Sequence, residues 1–177
     1  MTHRALTVAL FVAASAFAVQ AHAQSATPAA DAAATIATAP VASAAPPADD
    51  PGATFLAKNA KEAGILSTAS GLQYKIVRSG PAEGVSPKMG DEVQVVYEGK
   101  LLNGKVFDSS TDDNPASLQV GELVPGWNEA LQMMKPGDEW ILFIPPNLGY
   151  GSETKGPIPG NSVMIFRMKL LAVGPLS

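Results

Sequence analysis

The stretch Val124-Pro125-Gly126-Trp127-Asn128-Glu129-Ala130-Leu131-Gln132-Met133-Met134-Lys135-Pro136-Gly137 decides how the rest of the chain folds. Four of its apolar residues recur at the i, i+3, i+4 and i+7 spacing of one helix face: Trp127, Ala130, Leu131 and Met134. Pro136 disfavours helical geometry at the residue before it, so the predicted helix has only about two turns. Such a short helix must bury its apolar face against a larger element. Trp127, in the first turn, is either an ordinary core residue or the floor of a pocket.

Composition narrows the classes of function. The chain has 177 residues, of which 16% are charged, and a formal net charge of -4. This length predicts one domain of roughly 100–150 residues with extensions. We expect no nucleic-acid partner, because a mildly acidic chain lacks the basic face that phosphate binding requires. The sequence contains no Cys, which excludes disulfides and thiolate metal sites.

The N-terminus has the pattern of a cleavable export signal. A short basic start precedes an apolar run from Ala5 to Val19, and Ala21-His22-Ala23 has the small-x-small pattern of a cleavage site. We therefore predict a signal peptide over residues 1–23, a periplasmic or secreted protein, and no membrane anchor after cleavage. The two histidines, His3 and His22, would leave with this peptide. A chain without His or Cys excludes Ser-His and Cys-His catalysis and His-ligated zinc.

A linker and a helix follow. Residues 24–49 are mostly Ala, Pro, Thr and Ser, with too little bulky apolar surface to form a core, which predicts a disordered Ala/Pro-rich linker. Asp50-Pro51 provides an N-cap and a proline at the first helical position. We predict a short N-terminal helix within residues 50–64, ending near Ala63, that docks through Phe55 on a domain of residues 65–177.

The rest of the chain has the period-two alternation of strands. It predicts about five strands, mostly antiparallel, with one crossing helix. Asn103-Gly104 predicts a hairpin with a type I′ turn, because such a turn needs positive φ twice. Two related segments, Lys88–Val93 and Lys135–Trp140, predict two turns that each begin a strand. The clearest strands are Leu72–Ile76, Val93–Tyr97, Ser117–Val120, Trp140–Ile144 and Met164–Leu170.

Some loop residues leave alternatives open. Asp108, near the end of a strand, is either a site residue or a turn cap for Ser110. Asp112-Asp113 is a weak signal for a cation site, and a solvated loop is the more common origin of such a pair. Tyr150 and Ile158 stand in a loop rich in Gly and Pro, where large apolar residues are expected to fold over a cleft.

These residues resemble FKBP-type peptidyl-prolyl cis-trans isomerases. The resemblance covers about Gly64 to Val173, and Phe55–Ala60 is similar to the exported bacterial branch that includes the macrophage infectivity potentiators. The long dimerising helices of those proteins have no counterpart here. The fold implied is α+β, a strongly bent antiparallel sheet wrapped around one short helix, with a short N-terminal helix. The matching motifs are Tyr97-Glu98-Gly99, Gly104 to Ser110, Val124 to Trp127, Pro145 to Gly151, and Ile158-Pro159 with Val163 to Leu171.

The resemblance also implies the roles of individual residues. Trp127 would form the floor under the substrate proline. Tyr150 would donate its hydroxyl to a substrate carbonyl, and Asp108 would be the polar group at the rim; these two are the predicted catalytic residues. The predicted substrate-binding residues are Tyr97, Phe107, Leu123, Val124, Trp127, Ile158 and Phe166.

The activity implied is rotation about X-Pro bonds in proteins that fold after export. Rotation breaks no covalent bond, so it needs no cofactor, metal, His or Cys. The partners implied are unfolded or proline-containing polypeptides, with macrolides such as rapamycin as inhibitors. A non-catalytic holdase or an interaction module could use the same cleft. Leu118, Gly160 and the short Gly151–Pro157 loop depart from the family pattern and bear on substrate preference and activity level.

Overall fold

The computed structural model describes residues 50–174, so the predicted signal peptide (1–23) and linker (24–49) lie outside the described residues. Two α-helices and seven strands make up this part of the chain. The helices are α1 (Pro51–Asn59) and α2 (Pro125–Met133), and a single 3-10 turn covers Pro146–Leu148. The strands are β1 (Ile65–Ser67), β2 (Gln73–Arg78), β3 (Glu92–Leu101), β4 (Val106–Ser109), β5 (Ala116–Gln119), β6 (Glu139–Ile144) and β7 (Met164–Val173).

All seven strands form one antiparallel sheet in the order β1-β2-β6-β7-β3-β4, with β5 also on β3. One edge of β3 pairs with β7, and the other is shared between β5, at Glu92–Val95, and β4, at Glu98–Lys100. Register shifts opposite Gln94/Val95 and Gly99/Lys100 leave one extra residue in each partner strand, Leu171 in β7 and Phe107 in β4, which bends those two strands. The predicted fold class is confirmed. The strand count exceeds the predicted five partly because β1, with three residues, is too short to show alternation.

Helix α2 buries the predicted stripe against this sheet. Trp127 is 3% exposed, and Ala130, Leu131 and Met134 are fully buried. Pro125 begins the helix, and Met134 caps it in an extended conformation. The helix lies close to β6, since a Cβ on Gly126 would stand 2.9 Å from Ile144 Cγ2. Each buried large side chain contributes about 1.5–3 kcal/mol, which firmly fixes the helix and hence the orientation of Trp127.

Helix α1 is shorter than predicted and docks partly through polar groups. Asp50 Oδ1 accepts a hydrogen bond from Gly52 N at 2.8 Å, as expected for an N-cap, but the helix ends at Asn59 rather than near Ala63. Phe55 packs on Phe143 at 5.9 Å between ring centroids, as predicted. The buried Asn59 amide also donates to Gln73 Oε1 at 2.9 Å. Apolar periodicity did not indicate this second contact, because it joins two polar side chains.

The β3–β4 hairpin is present, but the predicted type I′ turn is wrong. Of the two turn residues, Gly104 has a positive φ, 82°, while Asn103 does not. Gly104 N donates to Leu101 O at 2.9 Å, and Leu101 N donates to Lys105 O at 3.0 Å. This is a three-residue connection with glycine in the left-handed region, which needs one positive φ instead of two.

The two related segments form matching turns, as predicted. Lys88 N donates to Asp91 Oδ2 at 2.8 Å, and Lys135 N donates to Asp138 Oδ2 at 2.9 Å. They differ in burial, because Asp138 is 3% exposed and also accepts from Gly80 N at 2.6 Å. The second turn therefore anchors the loop that leaves β2.

Candidate active site

Three aromatic rings meet at the first turn of α2, on the face of the sheet that the helix covers. Tyr97 of β3 meets Trp127 edge to face, with ring centroids 5.0 Å apart and planes at 84°. Phe166 of β7 meets Trp127 in the same way, at 5.1 Å and 88°. Edge-to-face pairs are favourable beyond the area that they bury. Trp127 therefore has walls on two sides, and its indole N–H finds no acceptor among residues 50–174.

A bulge in β4 brings Phe107 and Asp108 to the same site. Neighbouring residues of a regular strand point to opposite faces, which would separate these two side chains. Here Asp108 pairs with Gly99 while Val106 pairs with Lys100, so Phe107 is the extra residue of a register shift. The Phe107 ring meets Phe166 edge to face at 5.5 Å, and the Asp108 carboxylate reaches Tyr97.

The Asp108 carboxylate is held at the rim by two donors. Tyr97 Oη donates to Asp108 Oδ2 at 2.6 Å, and Ser109 N donates to Asp108 Oδ1 at 2.9 Å. Burial raises the pKa of the Tyr97 hydroxyl, and the hydrogen bond to Asp108 and its negative charge raise it further. The alternative of a cap between Asp108 and Ser110 is wrong, because Ser110 Oγ accepts from Tyr97 N at 3.0 Å and donates to Val95 O at 3.2 Å.

Tyr150 supplies a second hydroxyl, from the loop after the 3-10 turn. Its half-buried side chain packs against the core, and burial together with the charge of Asp108 raises its pKa to about 12. No group among residues 50–174 forms a hydrogen bond with this hydroxyl. Tyr150 thus offers a neutral donor that is not already engaged, in contrast to Tyr97.

The remaining predicted residues are buried in the same cluster as Trp127. Leu123, Val124 and Ile158 are 7%, 4% and 5% exposed. Asn128 holds the segment before α2 in place, since its Oδ1 accepts from Gly121 N at 2.8 Å and its Nδ2 donates to Leu123 O at 2.8 Å. All nine predicted site residues therefore lie in this cluster, against it, or hydrogen-bonded to it.

Comparison with protein families identifies the family of the chain. Residues 83–171 match the model of the FKBP-type peptidyl-prolyl cis-trans isomerase, and residues 4–76 match the domain amino-terminal to such isomerases. The chain belongs to the FKBP-type peptidyl-prolyl cis-trans isomerase family. The first matched range ends within β2 and the second begins within the β2–β3 loop. Because β2 pairs with β6, the end of the first range contributes to the sheet of the FKBP-type domain.

The chain is also similar in sequence to bacterial members of this family. The peptidyl-prolyl cis-trans isomerase Mip of Coxiella burnetii is 44% identical over 121 residues, which are 67% of this chain and 52% of that protein. FkpA of Escherichia coli is 41% identical over 125 residues, covering 70% of this chain and 46% of its own length. The chain spans about half the length of these relatives.

Solved structures show the same fold. A peptidyl-prolyl cis-trans isomerase from Pseudomonas syringae has a TM-score of 0.65 at 33% identity, covering 70% of this chain and 91% of that one. The crystal structure of FkpA from Escherichia coli has a TM-score of 0.66 at 41% identity, covering 70% of this chain and 58% of that one.

The structure gives a physical reason for one departure from the family pattern. A Cβ on Gly160 would stand 2.2 Å from Ser152 O, so this loop has no room for a side chain there. Asn161 N donates to Gly151 O at 2.7 Å, and Asn161 has a φ of 58°, which closes the loop tightly. Gly160 is therefore matched to the shortened loop that carries Tyr150 and Ile158. Leu118 is partly buried against the core.

The structure adds residues that the sequence did not single out for the site. Asn128 had a usable signal, because Asn is a poor residue for the body of a helix and indicates a side chain that bonds to backbone. Gly99, opposite Asp108, had none beyond its place in a motif. Residues 50–174 hold no cluster of three or more side chains suited to a metal ion. No helix in that range is long and apolar enough to cross a membrane.

Proposed function

We propose that this FKBP-type chain is a peptidyl-prolyl cis-trans isomerase that binds proline in the pocket formed by Tyr97, Phe107, Trp127 and Phe166. The observation that supports this most is the series of edge-to-face contacts that links Phe107, Phe166, Trp127 and Tyr97. Two polar groups accompany these rings: Asp108 accepts from Tyr97, and Tyr150 packs against the same core within reach of the charge of Asp108. A concave apolar site with few polar groups suits a small apolar ring with a polar backbone on each side.

The chemistry needs binding and orientation alone. The barrier to X-Pro rotation is about 20 kcal/mol and comes from amide resonance. A twisted amide has lost that resonance and has a less polar carbonyl, so an apolar site favours it over the planar form. Each ~1.4 kcal/mol of this preference speeds rotation tenfold.

The two hydroxyls have different roles in this proposal. Tyr97 is already committed to Asp108, so it holds the carboxylate at the rim. Tyr150 is the donor for a substrate carbonyl, and its raised pKa keeps it protonated at neutral and mildly alkaline pH. Leu123, Val124 and Ile158 complete the apolar lining of the site.

A pair of tryptophan variants tests the proposal. Trp127 and Trp140 are 3% and 5% exposed, and neither indole N–H has a partner among residues 50–174. Trp140 stacks on Tyr74 at 4.6 Å and has no ring contact with the pocket aromatics. Trp127→Leu and Trp140→Leu should each cost about 2–4 kcal/mol of stability.

Only Trp127→Leu should also lose turnover, by about tenfold or more in kcat/KM, because it alone removes a transition-state contact. The measurement is a protease-free isomerase assay on X-Pro peptides with varied X. Equal losses of kcat/KM in Trp127→Leu and Trp140→Leu would mean that Trp127 has no special role in turnover. No turnover by the folded, unaltered chain would overturn the proposed activity.

We further propose that this isomerase acts on exported chains. The basic start, apolar run and Ala21-His22-Ala23 pattern support a signal peptide over residues 1–23, followed by the linker 24–49. One relative of this chain is named outer membrane protein MIP, from Legionella longbeachae. Expression with the N-terminus intact, fractionation and mass measurement of the mature end test this: a chain retained in the cytoplasm with Met1 in place would contradict it.

Folding assistance and macrolide binding belong to the same proposal. A holdase would use the same cleft, so suppression of client aggregation should be compared with isomerase rate in Trp127→Leu. Suppression that survives while turnover is lost would assign the holdase to another surface. The apolar pocket should bind a macrolide such as rapamycin saturably, and flat calorimetric titrations of folded protein would show that it does not.

A further inference from the structure

We propose that Gly99 is a positioning residue that sets the width of the proline pocket. This inference rests on the proposed isomerase function and adds a residue that touches no substrate itself. Gly99 is buried two residues before the end of β3, where it pairs with Phe166 of β7 on one side and with Asp108 of β4 on the other. It therefore lies behind both a wall of the pocket and its polar rim.

Two wall rings occupy the space where a side chain at this position would lie. A Cβ on Gly99 would stand 2.5 Å from Phe166 Cε1 and 2.8 Å from both Cε2 and Cζ of Phe107. Carbon atoms in contact are normally about 3.5–4.0 Å apart. Even one methyl group at this position would therefore push both rings by about 1 Å.

The requirement for glycine here concerns space and not backbone conformation. Gly104 and Gly90 have φ angles of 82° and 91°, where other residues are strained, and a Cβ on either would meet no atom within 4 Å. Gly99 instead has no positive φ and lies in the regular part of the ladder between β3 and β7. Glycine weakens a strand, and one in this setting marks a close approach by another group.

The bulge and the glycine work together. The register shift leaves Phe107 as the extra residue of β4, and the open position at Gly99 is where its ring edge lies. A Cβ at position 99 would project from the β3 backbone onto the two rings, so a methyl group would displace them away from the sheet. That direction leads toward Trp127, which Phe166 already meets at 5.1 Å. A side chain at position 99 should therefore narrow the pocket.

Gly99→Ala tests this, with Gly52→Ala as the matched control. Gly52 is buried in α1, and a Cβ there would stand 2.9 Å from Val163 Cγ2, so it crowds the core without touching a pocket ring. The substrates are three peptides that differ in one residue: proline itself, a four-membered imino acid or a six-membered imino acid. A displacement of about 1 Å in a site costs up to 100-fold. We expect kcat/KM on proline to fall about ten- to a hundredfold in Gly99→Ala, with the six-membered ring losing most and the four-membered ring least. Gly52→Ala should show no dependence on ring size.

A double-variant cycle separates positioning from simple loss of stability. Phe166→Leu removes the atom that lies closest to the new methyl group, so adding Gly99→Ala to it should cost at least threefold less in kcat/KM than in the unaltered chain. If Gly99→Ala alone does not fold, Gly99→Ala in Phe166→Leu and in Phe107→Leu provides the same ring-size series.

The outcomes distinguish the two proposals. An unaltered chain without isomerase activity overturns the proposed function, and calorimetric affinities for the same three ring sizes then test the pocket width alone. If the unaltered chain is active, two results overturn the role of Gly99. One is that Gly99→Ala lowers kcat/KM no more than Gly52→Ala does, and the other is that it lowers kcat/KM equally for all three ring sizes. Additive effects of Gly99→Ala and Phe166→Leu also overturn it.

Discussion

Removing the Asp108 carboxylate should separate its effect on catalysis from its effect on stability. Asp108→Leu deletes the acceptor of the 2.6 Å hydrogen bond from Tyr97 and leaves a half-buried hydroxyl without a partner. Asp108→Asn keeps an oxygen of similar position but removes the charge. Comparing the two variants therefore distinguishes the loss of the bond from the loss of the negative charge.

The structure sets the size of both effects. Hydrogen bonds to charged groups contribute about 1.5–3 kcal/mol, and partial exposure of this pair places it at the lower end, about 1–2 kcal/mol. For a domain of this size that corresponds to a fall in Tm of roughly 4–8 °C in Asp108→Leu. If the carboxylate also stabilises the twisted amide, kcat/KM should fall about ten- to a hundredfold. Asp108→Asn should lose less of both.

The assay is a thermodynamic cycle with Tyr97→Phe, which removes the donor instead. Thermal unfolding and protease-free isomerase kinetics are measured for Asp108→Leu, Tyr97→Phe and the double variant. The reasoning requires non-additivity of about 1 kcal/mol in stability, because each single variant breaks the same bond. Additive stabilities would refute the hydrogen bond. Unaltered kcat/KM in Asp108→Leu would refute a catalytic role for the carboxylate while leaving the bond intact.

Three further predictions follow from contacts elsewhere in the chain. Because burial first, and then Asp108, hold the pKa of Tyr97 and Tyr150 above the usual 10, the folded chain keeps these protons longer than the unfolded chain does. The contribution of these two groups to the free energy of unfolding is complete below pH ~10 and should be lost as pH rises from about 10 to 12, with a smaller loss in Tyr97→Phe. Denaturant unfolding in which the free energy falls equally steeply with pH in Tyr97→Phe and in the unaltered chain would contradict this. Asp138→Ala leaves two donors without an acceptor and should cost about 2–4 kcal/mol in urea unfolding, against ~1 kcal/mol or less for Asp91→Ala in the more exposed matching turn. Asn59→Leu removes the hydrogen bond from the Asn59 side chain to Gln73 of β2, so hydrogen exchange should become faster in α1 while the sheet stays protected. Unchanged exchange in α1 would show that this hydrogen bond does not hold the helix.

Several elements followed from short-range patterns alone. The stripe of α2, the Asp50 cap with Pro51, and the alternation of β7 each depend on residues within a few positions of one another. Such patterns report which face of an element is apolar, and burial of that face is the dominant favourable term in folding. The family motifs predicted nine site residues. The structure places eight of them in or against the core cluster, and the ninth, Asp108, accepts a hydrogen bond from one of the eight, Tyr97.

Long-range geometry had to come from the fold. The type I′ turn was wrong because one glycine in a three-residue connection satisfies the hairpin. The end of α1 was wrong by about four residues, because residues 60–63 are exposed and bury no apolar face that would favour further helix. The hydrogen bond between Asn59 and Gln73 has no local signature in the sequence, because it joins polar side chains 14 positions apart.

The apolar faces and the positions of the turns follow from the sequence, and the absence of Cys and of any His after residue 22 excludes Ser-His and Cys-His catalysis in the folded part. Tertiary structure alone decided that Phe107 and Asp108 share a side, and that Gly99 admits two rings. The physical reason is that side-chain direction in a sheet depends on register, and register is set by pairing between residues far apart in the chain.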